Sequence, residues 1–489
     1  MSKKVSIIGS GFSSIAAACY LAQSGYEVDV YEKNTQLGGR ARQFVREGFK
    51  FDMGPTWYWM PDVFERFFGD FNKKPSDYYD LTRLTPSYRV YFGVNDFVEI
   101  SDSMDETFKA FEAIEPGSSK QLDSFLQKAE QNYEVAIKDL VYKPGLSIFE
   151  LISKKTVFEI PQFISTISHS AEKSFRSKKL RQIIEFPVLF LGAKPSMTPA
   201  FYSFMNYADL VLGTWYPTGG MKSVVDGMIA MAEELGVRFH TNAAVSKINC
   251  GPDQHVKSIL IDDNEISVDI LLSGADYAHT EQLLPIENRM YKNSYWDKKV
   301  MAPSALLYYV GLDKKLENVQ HHSLFFDVPF EAHAREIYDD PSWPENPLFY
   351  ASFPSMTDDT ISPEGKEAAI FLIPLAPDLE DTQELRESYF NLIIKRLEKM
   401  IGEEVESSIL FKESYCVQDF KDDYNSLKGN AYGMANTLFQ TAFLRPKLRS
   451  KKLKNMYFTG QLTVPGPGVP PSLISGKLSA ELLIKDHVL

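Results

Sequence analysis

Two glycines near the start of the chain, Gly9 and Gly11, have the type and spacing needed to hold a phosphate group. Gly9 permits a tight turn, and the missing Cβ atom of Gly11 lets backbone N–H groups approach a pyrophosphate. Glu32, at the end of the next apolar stretch, is a candidate acceptor for a ribose hydroxyl. This pattern predicts a dinucleotide-binding site, and a strand–turn–helix without ligand is the alternative. The candidate turn residues are Gly9, Ser10, Gly11, Ser13 and Ser14, with Ser14 where the usual pattern has a third glycine.

A second group of candidate residues follows within the first sixty positions. Gly38 and Gly39 precede Arg40, and Gly54-Pro55-Thr56 comes shortly after. Paired glycines allow close backbone approach, and a guanidinium group is a planar, fork-shaped cation that suits a phosphate. The pattern therefore indicates phosphate binding, with a surface turn and solvated arginines as the alternative.

A third group lies near the C-terminus, where a short strand at 456–459 leads into Gly460 and Gln461. A loop rich in proline and glycine follows, and Gly468 and Val469 precede a helix of small residues. Such a loop brings backbone N–H groups to a phosphate and to the electron-rich edge of a ring. A disordered proline-rich tail is the alternative.

Regular elements must position these three groups. The stretch 5–9 is rich in β-branched residues and predicts a buried strand, 15–21 predicts a helix, and 27–32 predicts a second strand. Together they form a βαβ unit with the glycine turn at its first corner. An amphipathic helix at 223–235 and a buried strand at 268–273 continue the α/β pattern.

Aromatic side chains are concentrated in the middle of the chain. Together with Trp57, Trp59 and Met60 they predict the wall of a long apolar cavity, and a helical core is the alternative. The residues of this run are Phe186, Phe190, Phe201, Tyr202, Phe204, Tyr207, Trp215 and Tyr216.

The adjacent histidines His321 and His322 are a candidate metal or acid–base pair. No partner of ligand spacing accompanies them, so a structural pair is the favoured interpretation. HExxH, GxSxG and P-loop patterns are absent from the sequence. The sequence therefore names no catalytic residue and no metal ligand.

Composition limits the class of protein. The chain has 489 residues with 52 Lys+Arg against 65 Asp+Glu, a net charge of −13, which disfavours nucleic acid as a partner. Its length predicts two or three domains. Three cysteines without a CxxC pattern indicate a reduced, cytoplasmic protein, and the glycines and serines after Lys4 argue against a signal peptide.

These motifs together closely resemble the bacterial-type phytoene desaturases, the carotenoid desaturase branch of the flavin amine-oxidase superfamily. The resemblance covers nearly the whole chain. It implies an α/β fold in which a Rossmann-type FAD-binding domain of the hydroxybenzoate-hydroxylase/amine-oxidase kind carries an inserted α+β substrate domain. It assigns residues 1–70, 215–290 and 416–489 to the FAD-binding domain and 71–214 and 291–415 to the substrate and membrane-facing domain.

The resemblance also implies FAD as cofactor and the desaturation of phytoene to lycopene by hydride transfer to flavin N5. Oxygen or a quinone would accept the electrons. It adds Lys33, Val245 and Ala275 to the cofactor site. The expected cofactor-binding residues are thus Gly9, Ser10, Gly11, Ser13, Ser14, Glu32, Lys33, Gly38, Gly39, Arg40, Gly54, Pro55, Thr56, Val245, Ala275, Gly460, Gln461, Gly468 and Val469.

Several alternatives remain open at this point. They are a C30 desaturase, a 3,4-desaturase, a flavin-dependent carotenoid isomerase, a flavin amine oxidase, and a non-catalytic flavoprotein or lipid-binding protein. The lysine near the flavin and the aromatic cage that an amine oxidase needs cannot be located in the sequence.

A polyene substrate resides in membrane, so the sequence predicts a protein attached peripherally to the inner face of the cell membrane. Two basic clusters, at 445–454 and 173–181, are the candidate contacts. A solvated charged face is the alternative for both.

Overall fold

The computed structural model describes residues 3–147, 150, 160–437 and 439–488, without the side chains of Asp139, Ile160 and Phe190. Phe190, one of the aromatic residues assigned to the cavity wall, therefore lies outside the described side chains. The strands are β1 (Lys4–Ile8), β2 (Glu27–Tyr31), β3 (Gln43–Arg46), β4 (Phe49–Asp52), β5 (Leu81–Arg83), β6 (Tyr88–Gly93), β7 (Asp96–Ile100), β8 (Trp215–Pro217), β9 (Arg238–His240), β10 (Val245–Cys250), β11 (Val256–Ile261), β12 (Asn264–Ser267), β13 (Ile270–Ser273), β14 (Ser304–Leu312), β15 (His322–Phe325), β16 (Phe349–Ser352), β17 (Glu367–Leu375), β18 (Ile409–Tyr415) and β19 (Met456–Phe458).

The helices occur between groups of these strands, and most of them fall between β7 and β8 or after β13. The α-helices are Phe12–Gln23, Pro61–Gly69, Met104–Ile114, Ser118–Val135, Ile160–Ile164, Ile167–Ser174, Lys178–Glu185, Phe204–Leu210, Met221–Glu234, Tyr277–Gln282, Asn293–Asp297, Phe330–Tyr338, Gln383–Ile401, Val417–Tyr424 and Val469–Asp486. Short 3₁₀ turns include Gly39–Ala41, Phe186–Leu191, Ala200–Ser203, Leu427–Gly429 and Ala442–Leu444.

A parallel sheet of five strands, in the order β19–β13–β1–β2–β9, forms the first layer. β1 pairs with β2 from Lys4↔Glu27 to Ile8↔Tyr31 and also with β13. Val, Ile and Leu dominate β1 and β13 because parallel strands are covered on both faces. The five strands come from three separated stretches of the chain. The predicted α/β fold with a Rossmann-type sheet is confirmed.

A mixed sheet of seven strands, in the order β18–β14–β17–β16–β15–β6–β7, forms the second layer. All of β14 is buried, and it pairs antiparallel with β17 along its whole length. The helix Gln383–Ile401 covers one side through Phe390, Ile393 and Leu397. Residues of β14, β15, β16 and β17 line one side of a large internal cavity.

Two helices from opposite ends of the chain lie unusually close together. A Cβ atom on Gly476 would lie 2.3 Å from the carbonyl oxygen of Ser13 and 2.9 Å from the Cβ of Ala16. The helices Phe12–Gln23 and Val469–Asp486 can approach this closely because their contact is made of glycine, serine and alanine. This contact brings their N-termini to the same side of the parallel sheet.

Across the described ranges, none of the helices combines the length and the apolar character that a bilayer crossing requires. Within the same ranges, no group of three or more His, Cys, Asp and Glu side chains is arranged to hold a metal ion.

Candidate active site

A cavity of about 1150 Å³ lies at the carboxyl ends of the parallel strands. This is the edge at which open α/β sheets bind ligands. Gly9 follows β1, Glu32 follows β2, and Gly460 comes shortly after β19. Every expected cofactor-binding residue except Ser14 lines this cavity.

Ser14 has a packing role instead. Its hydroxyl is buried, and a Cβ atom on Gly274 would lie 2.0 Å from it. The helix Phe12–Gln23 therefore rests closely on the end of β13. This is the packing that the third glycine of the pattern provides.

The glycine turn leaves room for a phosphate. Gly9 has φ +85°, and a Cβ atom there would lie 3.2 Å from the backbone nitrogen of Ala275. A Cβ atom on Gly11 would meet nothing within 4 Å, because Gly11 faces the cavity. Gly11 is also the N-cap of the helix Phe12–Gln23, which has no side-chain cap and no acidic residue in its first turn. Its free N–H groups and helix dipole suit a phosphate.

Glu32 holds the turn in place. Its Oε2 atom accepts hydrogen bonds from the backbone nitrogen of Ser10 at 3.0 Å and from the Ser10 hydroxyl at 2.7 Å. Its Oε1 atom accepts from the backbone nitrogen of Asn34 at 2.9 Å. A carboxylate can accept further bonds, so its role at a ribose hydroxyl stays a prediction.

Arg40 is a half-buried cation with an unused donor. Its terminal NH2 donates to Ser426 Oγ at 3.1 Å, and its guanidinium carbon lies 4.8 Å from the ring centre of Tyr424. With the Gln461 amide assigned so that its oxygen faces Arg40, that oxygen accepts bonds of 3.0 and 3.2 Å. The Arg40 Nε is buried without a partner in the described residues. Burial lowers the pKa of Arg40, so an anion bound here would stabilise the charged form of its guanidinium group.

The loop around Arg40 requires glycine. A Cβ atom on Gly54 would lie 2.3 Å from the carbonyl oxygen of Arg40, and one on Gly39 would lie 3.1 Å from the Cα of Gly11. The second group of candidate residues is thus folded tightly onto the first.

The C-terminal group supplies a second free helix N-terminus. The backbone nitrogen of Gly460 donates to Ser475 Oγ at 3.0 Å, which fixes the loop to the last helix. That helix, Val469–Asp486, begins after Gly468 with φ +115° and has no side-chain cap. Two uncapped helix N-termini therefore face one cavity. The first helix offers backbone N–H groups and its dipole, whereas the second offers its dipole and the Val469 N–H, because Pro470 and Pro471 carry no N–H. With the unpartnered Arg40 donor, this arrangement fits a dinucleotide.

The sequence did not single out the segment that covers Arg40. Tyr424 stacks on its guanidinium group, Asp423 forms an ion pair with Arg42, and Asn430 accepts from Arg40 at 3.3 Å. Asp276 is also buried beside the cofactor cavity, where it caps the helix Tyr277–Gln282. No glycine pattern marks these positions, because their side chains act through tertiary contacts.

The far part of the cavity is apolar and aromatic. Trp57 contacts Phe186 at 5.5 Å between ring centres, and Phe201 stacks on Phe163 at 4.4 Å. Of the residues expected in the wall, Trp57, Trp59, Met60, Phe186, Phe201, Tyr202 and Phe204 line the cavity. Tyr207, Trp215 and Tyr216 do not belong to its lining, and they pack elsewhere.

The histidine pair is buried. The Nδ1 atom of His321 shares a hydrogen bond of 2.8 Å with Thr357 Oγ1, and that of His322 shares one of 2.7 Å with the Tyr350 hydroxyl. Burial lowers the pKa of His321 to about 3 and that of His322 well below its ordinary value. Both rings are therefore neutral at physiological pH.

The two basic clusters are partly engaged within the protein. Arg445 is 1% exposed and donates to the carbonyl oxygen of Met434 at 2.7 Å. Arg449 is paired with Asp486, and Lys179 with Asp96. Fewer cations than the sequence suggested are therefore free to meet a membrane.

Comparisons with known proteins agree with this geometry. The family model of flavin containing amine oxidoreductases matches residues 13–484. A carotenoid 3,4-desaturase of Haloarcula japonica is 40% identical over 99% of this chain and 98% of its own length. A 4,4'-diapophytoene desaturase of Staphylococcus haemolyticus is 30% identical over 99% of both chains. The crystal structure of an oxidoreductase from Methanosarcina mazei superposes with a TM-score of 0.65 at 17% identity, covering 98% of this chain and 100% of that one.

The chain therefore belongs to the flavin-containing amine oxidoreductase family, a class whose fold it shares. Within that family it is a carotenoid desaturase, as its sequence similarity to two such enzymes shows. The expected resemblance and FAD as cofactor are both confirmed.

Proposed function

We propose that the protein desaturates a long linear carotenoid, with the 3,4 position of the chain as its preferred bond. The observation that carries this proposal is the 40% identity to a carotenoid 3,4-desaturase along nearly the whole of both chains. Desaturation of phytoene to lycopene, expected from the motifs, is the second candidate. It is supported by the 30% identity to a 4,4'-diapophytoene desaturase.

The cavity supports a hydrocarbon substrate of either kind. Its far wall consists of aromatic and aliphatic side chains, and its volume of about 1150 Å³ extends beyond the cofactor residues. Burial of hydrocarbon contributes about 0.8 kcal/mol per methylene, which suits a ligand without polar groups. FAD supplies the acceptor for the hydride that leaves the substrate. The protein aligns the polyene against it and excludes water.

Purified holo-protein with carotenoids in liposomes tests the assignment. Phytoene and a carotenoid already desaturated in its centre but saturated at positions 3 and 4 should be supplied separately, and the visible absorbance followed. A red shift with the second substrate and none with phytoene supports 3,4-desaturation. Colour from phytoene alone would favour the second candidate, and no change with either would reject carotenoid desaturation.

We also propose that the protein meets the membrane through the apolar rim of this cavity, rather than through the basic clusters. The rim consists of Leu146, Ile164, Phe439 and Leu444, which are 54%, 77%, 79% and 40% exposed. Phe439 and Leu444 line the cavity itself.

Contacts between their segments place these four residues around one opening. A Cβ atom on Gly145 would lie 3.5 Å from the Cα of Phe443, which joins the segments of Leu146 and Leu444. The hydroxyl of Tyr202 shares a 2.9 Å hydrogen bond with Thr441, and Phe163 stacks on Phe201. A polyene could pass from lipid to cavity here without crossing water. The protein would lie on the cytoplasmic face of the membrane.

Liposome co-sedimentation tests the rim. Burial of one large apolar side chain contributes about 1.5–3 kcal/mol, so the double variant Ile164→Ser/Phe439→Ser should bind lipid at least about tenfold more weakly. Ile286→Ser is the matched control, because Ile286 is 79% exposed and lies outside the cavity lining. Binding that persists in the double variant but disappears in high salt would instead indicate the basic clusters.

The acceptor that reoxidises the flavin is proposed to be oxygen or a membrane quinone. To separate the two, the flavin is photoreduced in protein bound to vesicles that contain or lack quinone. The rate at which the absorbance of oxidised flavin returns is then measured with and without oxygen.

A further inference from the structure

A chain of hydrogen bonds leads from the apolar cavity into the second sheet. Thr56 and Tyr350 both line the cavity, and their hydroxyl groups share a hydrogen bond of 2.8 Å. The Tyr350 hydroxyl also shares one of 2.7 Å with Nδ1 of His322, whose ring stacks on Trp57 at 3.9 Å. His322 itself has no exposed surface.

The strand register explains this arrangement. In the antiparallel pair β15–β16, Leu324 lies opposite Tyr350, so that His322, two residues earlier, is the diagonal neighbour of Tyr350 on the same face. Leu324 lines the cavity. The pair thus places the Tyr350 side chain at the cavity wall, with its hydroxyl bonded to a fully buried imidazole.

Thr56 lies where the cofactor residues meet the apolar wall. It is two residues after Gly54, which packs on the carbonyl oxygen of Arg40, and it precedes Trp57, which contacts Phe186. The Tyr350 hydroxyl therefore faces the part of the cavity where substrate and cofactor must meet.

His321 continues the chain toward the surface. Its ring centre lies 4.5 Å from that of His322, and its Nδ1 atom shares a hydrogen bond with Thr357, which is exposed. The Nε2 atoms of both histidines are buried without a partner in the described residues.

A second, small cavity of about 10 Å³ adjoins His321, a space about large enough for one water molecule. Thr56, His321 and Ser352 contribute to its lining, and the titratable groups beside it are those of Lys50, Asp52 and Tyr216.

We propose that Tyr350, His322 and His321 form a path that carries a proton from the reaction cavity to the solvent at Thr357. This rests on the proposed desaturation, in which the substrate loses a hydride to FAD and a proton from the neighbouring carbon. The proton bonds to the Tyr350 oxygen while the proton of that hydroxyl passes to Nδ1 of His322. Nε2 of His322 releases its own proton to Nε2 of the neighbouring His321 ring, and Nδ1 of His321 releases one through Thr357.

The pKa values of these side chains suit transfer of a proton rather than its retention on one ring. Burial keeps the pKa of both histidines far below neutrality, so each ring passes a proton on instead of retaining it. Burial also raises the pKa of Tyr350, so its hydroxyl stays protonated and available as a donor.

His333 provides a matched control. It is another buried histidine lining the same cavity, but its Nε2 atom is bonded to the carbonyl oxygen of Pro374 at 2.8 Å and its Nδ1 atom to the backbone nitrogen of Leu348 at 3.0 Å. Both its nitrogens are therefore occupied by backbone groups outside the path.

Single-turnover experiments on holo-protein test the path, with product absorbance and release of a proton to a pH-indicator dye followed together. Tyr350→Phe and His322→Gln should slow product formation about 100-fold, the usual size of a general-base effect. In His321→Phe, proton release should lag behind product. In His333→Gln, which alters the cavity lining outside the path, proton release should keep pace with product. FAD content and melting temperature identify variants that fail to fold, and Tyr350→Phe, which removes one oxygen atom, is the decisive one.

The outcomes separate two failures. Wild-type protein that forms no product from any polyene rejects the proposed function. Turnover within twofold of wild type in Tyr350→Phe and His322→Gln rejects the path alone. NMR of ¹⁵N-histidine protein at rest gives an independent readout: at pH 7 it should show His322 protonated at Nε2 and His321 at Nδ1. A charged ring in either would also overturn the path.

Discussion

The carboxylate of Asp52 caps the helix that begins at Met221: its Oδ2 atom accepts a hydrogen bond of 2.7 Å from the Met221 backbone nitrogen. A second bond of 3.3 Å comes from the nitrogen of Lys222. A Cβ atom on Gly220 would lie 2.5 Å from the same carboxylate oxygen, so glycine is required beside it. Two motifs far apart in sequence are thus joined by one carboxylate.

Asp52→Ala should therefore destabilise the protein. Loss of an N-cap costs about 1–2 kcal/mol of unfolding free energy, because the first N–H groups of the helix lose their acceptor. Asp52→Asn keeps an acceptor oxygen and should lose less. Urea denaturation of the three proteins measures the difference. Equal stabilities for alanine and wild type would show that water replaces the cap.

Gly11→Ala should separate cofactor binding from folding. Its Cβ atom would enter open space in the cavity, and φ of −71° is accessible to alanine. We expect an unchanged melting temperature of the apo-protein but FAD binding weakened at least about tenfold, because the methyl group occupies the place of a phosphate.

Gly69→Ala is the control for this prediction, since its Cβ atom would also meet nothing within 4 Å but lies outside the cavity lining. Fluorescence titration with FAD compares the two variants. An affinity equal to that of the wild type in Gly11→Ala would contradict the phosphate site.

Arg40→Met should likewise reduce FAD binding, by about tenfold or more, because a buried charge-assisted bond to phosphate is lost. The apo-protein should lose only about 1–2 kcal/mol of stability, since the Ser426 hydroxyl and the Asn430 carbonyl oxygen lose one donor. Arg46→Met is the control, as Arg46 is exposed and paired with Glu413. Full retention of FAD on gel filtration of Arg40→Met would argue against a phosphate contact.

Asp209 should make stability depend on pH. It is 1% exposed and accepts a 2.7 Å bond from Tyr88, while burial raises its pKa to about 7. The unfolded carboxyl group titrates near 3.9, so between about pH 4 and 7 the folded state binds more protons and stability falls as pH rises.

Asp209→Asn should flatten this slope and be the more stable form at pH 8. The exposed Asp263→Asn provides the control. Thermal melting from pH 4 to 8 gives the comparison, and an unaltered slope in Asp209→Asn would place the pH dependence elsewhere.

The sequence could single out residues that the fold gathers around one cavity, because that side of the cavity is formed largely by backbone. Gly9, Gly11, Gly54 and Gly460 are needed where chains and a phosphate approach closely, and such positions leave a glycine pattern in the sequence. Ser14 was the exception, since its packing on Gly274 keeps it away from the cavity.

The remaining residues of the candidate site are brought there by tertiary contacts, which leave no local pattern in the sequence. Tyr424 is the last residue of the helix Val417–Tyr424, which follows β18. It contacts Arg40 only because the folded chain brings this helix to the N-terminal glycine loop. Arg445 looked like a surface cation, but the structure buries it among carbonyl oxygens. The link between His322 and Tyr350 likewise follows from the register of two strands that are distant in sequence.

The close contact of Ser13 with Gly476 has a consequence for biosynthesis. β1 and the helix Phe12–Gln23 are synthesised before β19 and the helix Val469–Asp486. The later strand completes the parallel sheet, and the later helix packs against Phe12–Gln23. During translation, the apolar faces of the βαβ unit that these later elements cover therefore stay exposed until residues 456–486 have been synthesised. Uptake of FAD is therefore a late event, and a nascent chain halted before residue 456 should be a target for chaperones or proteases.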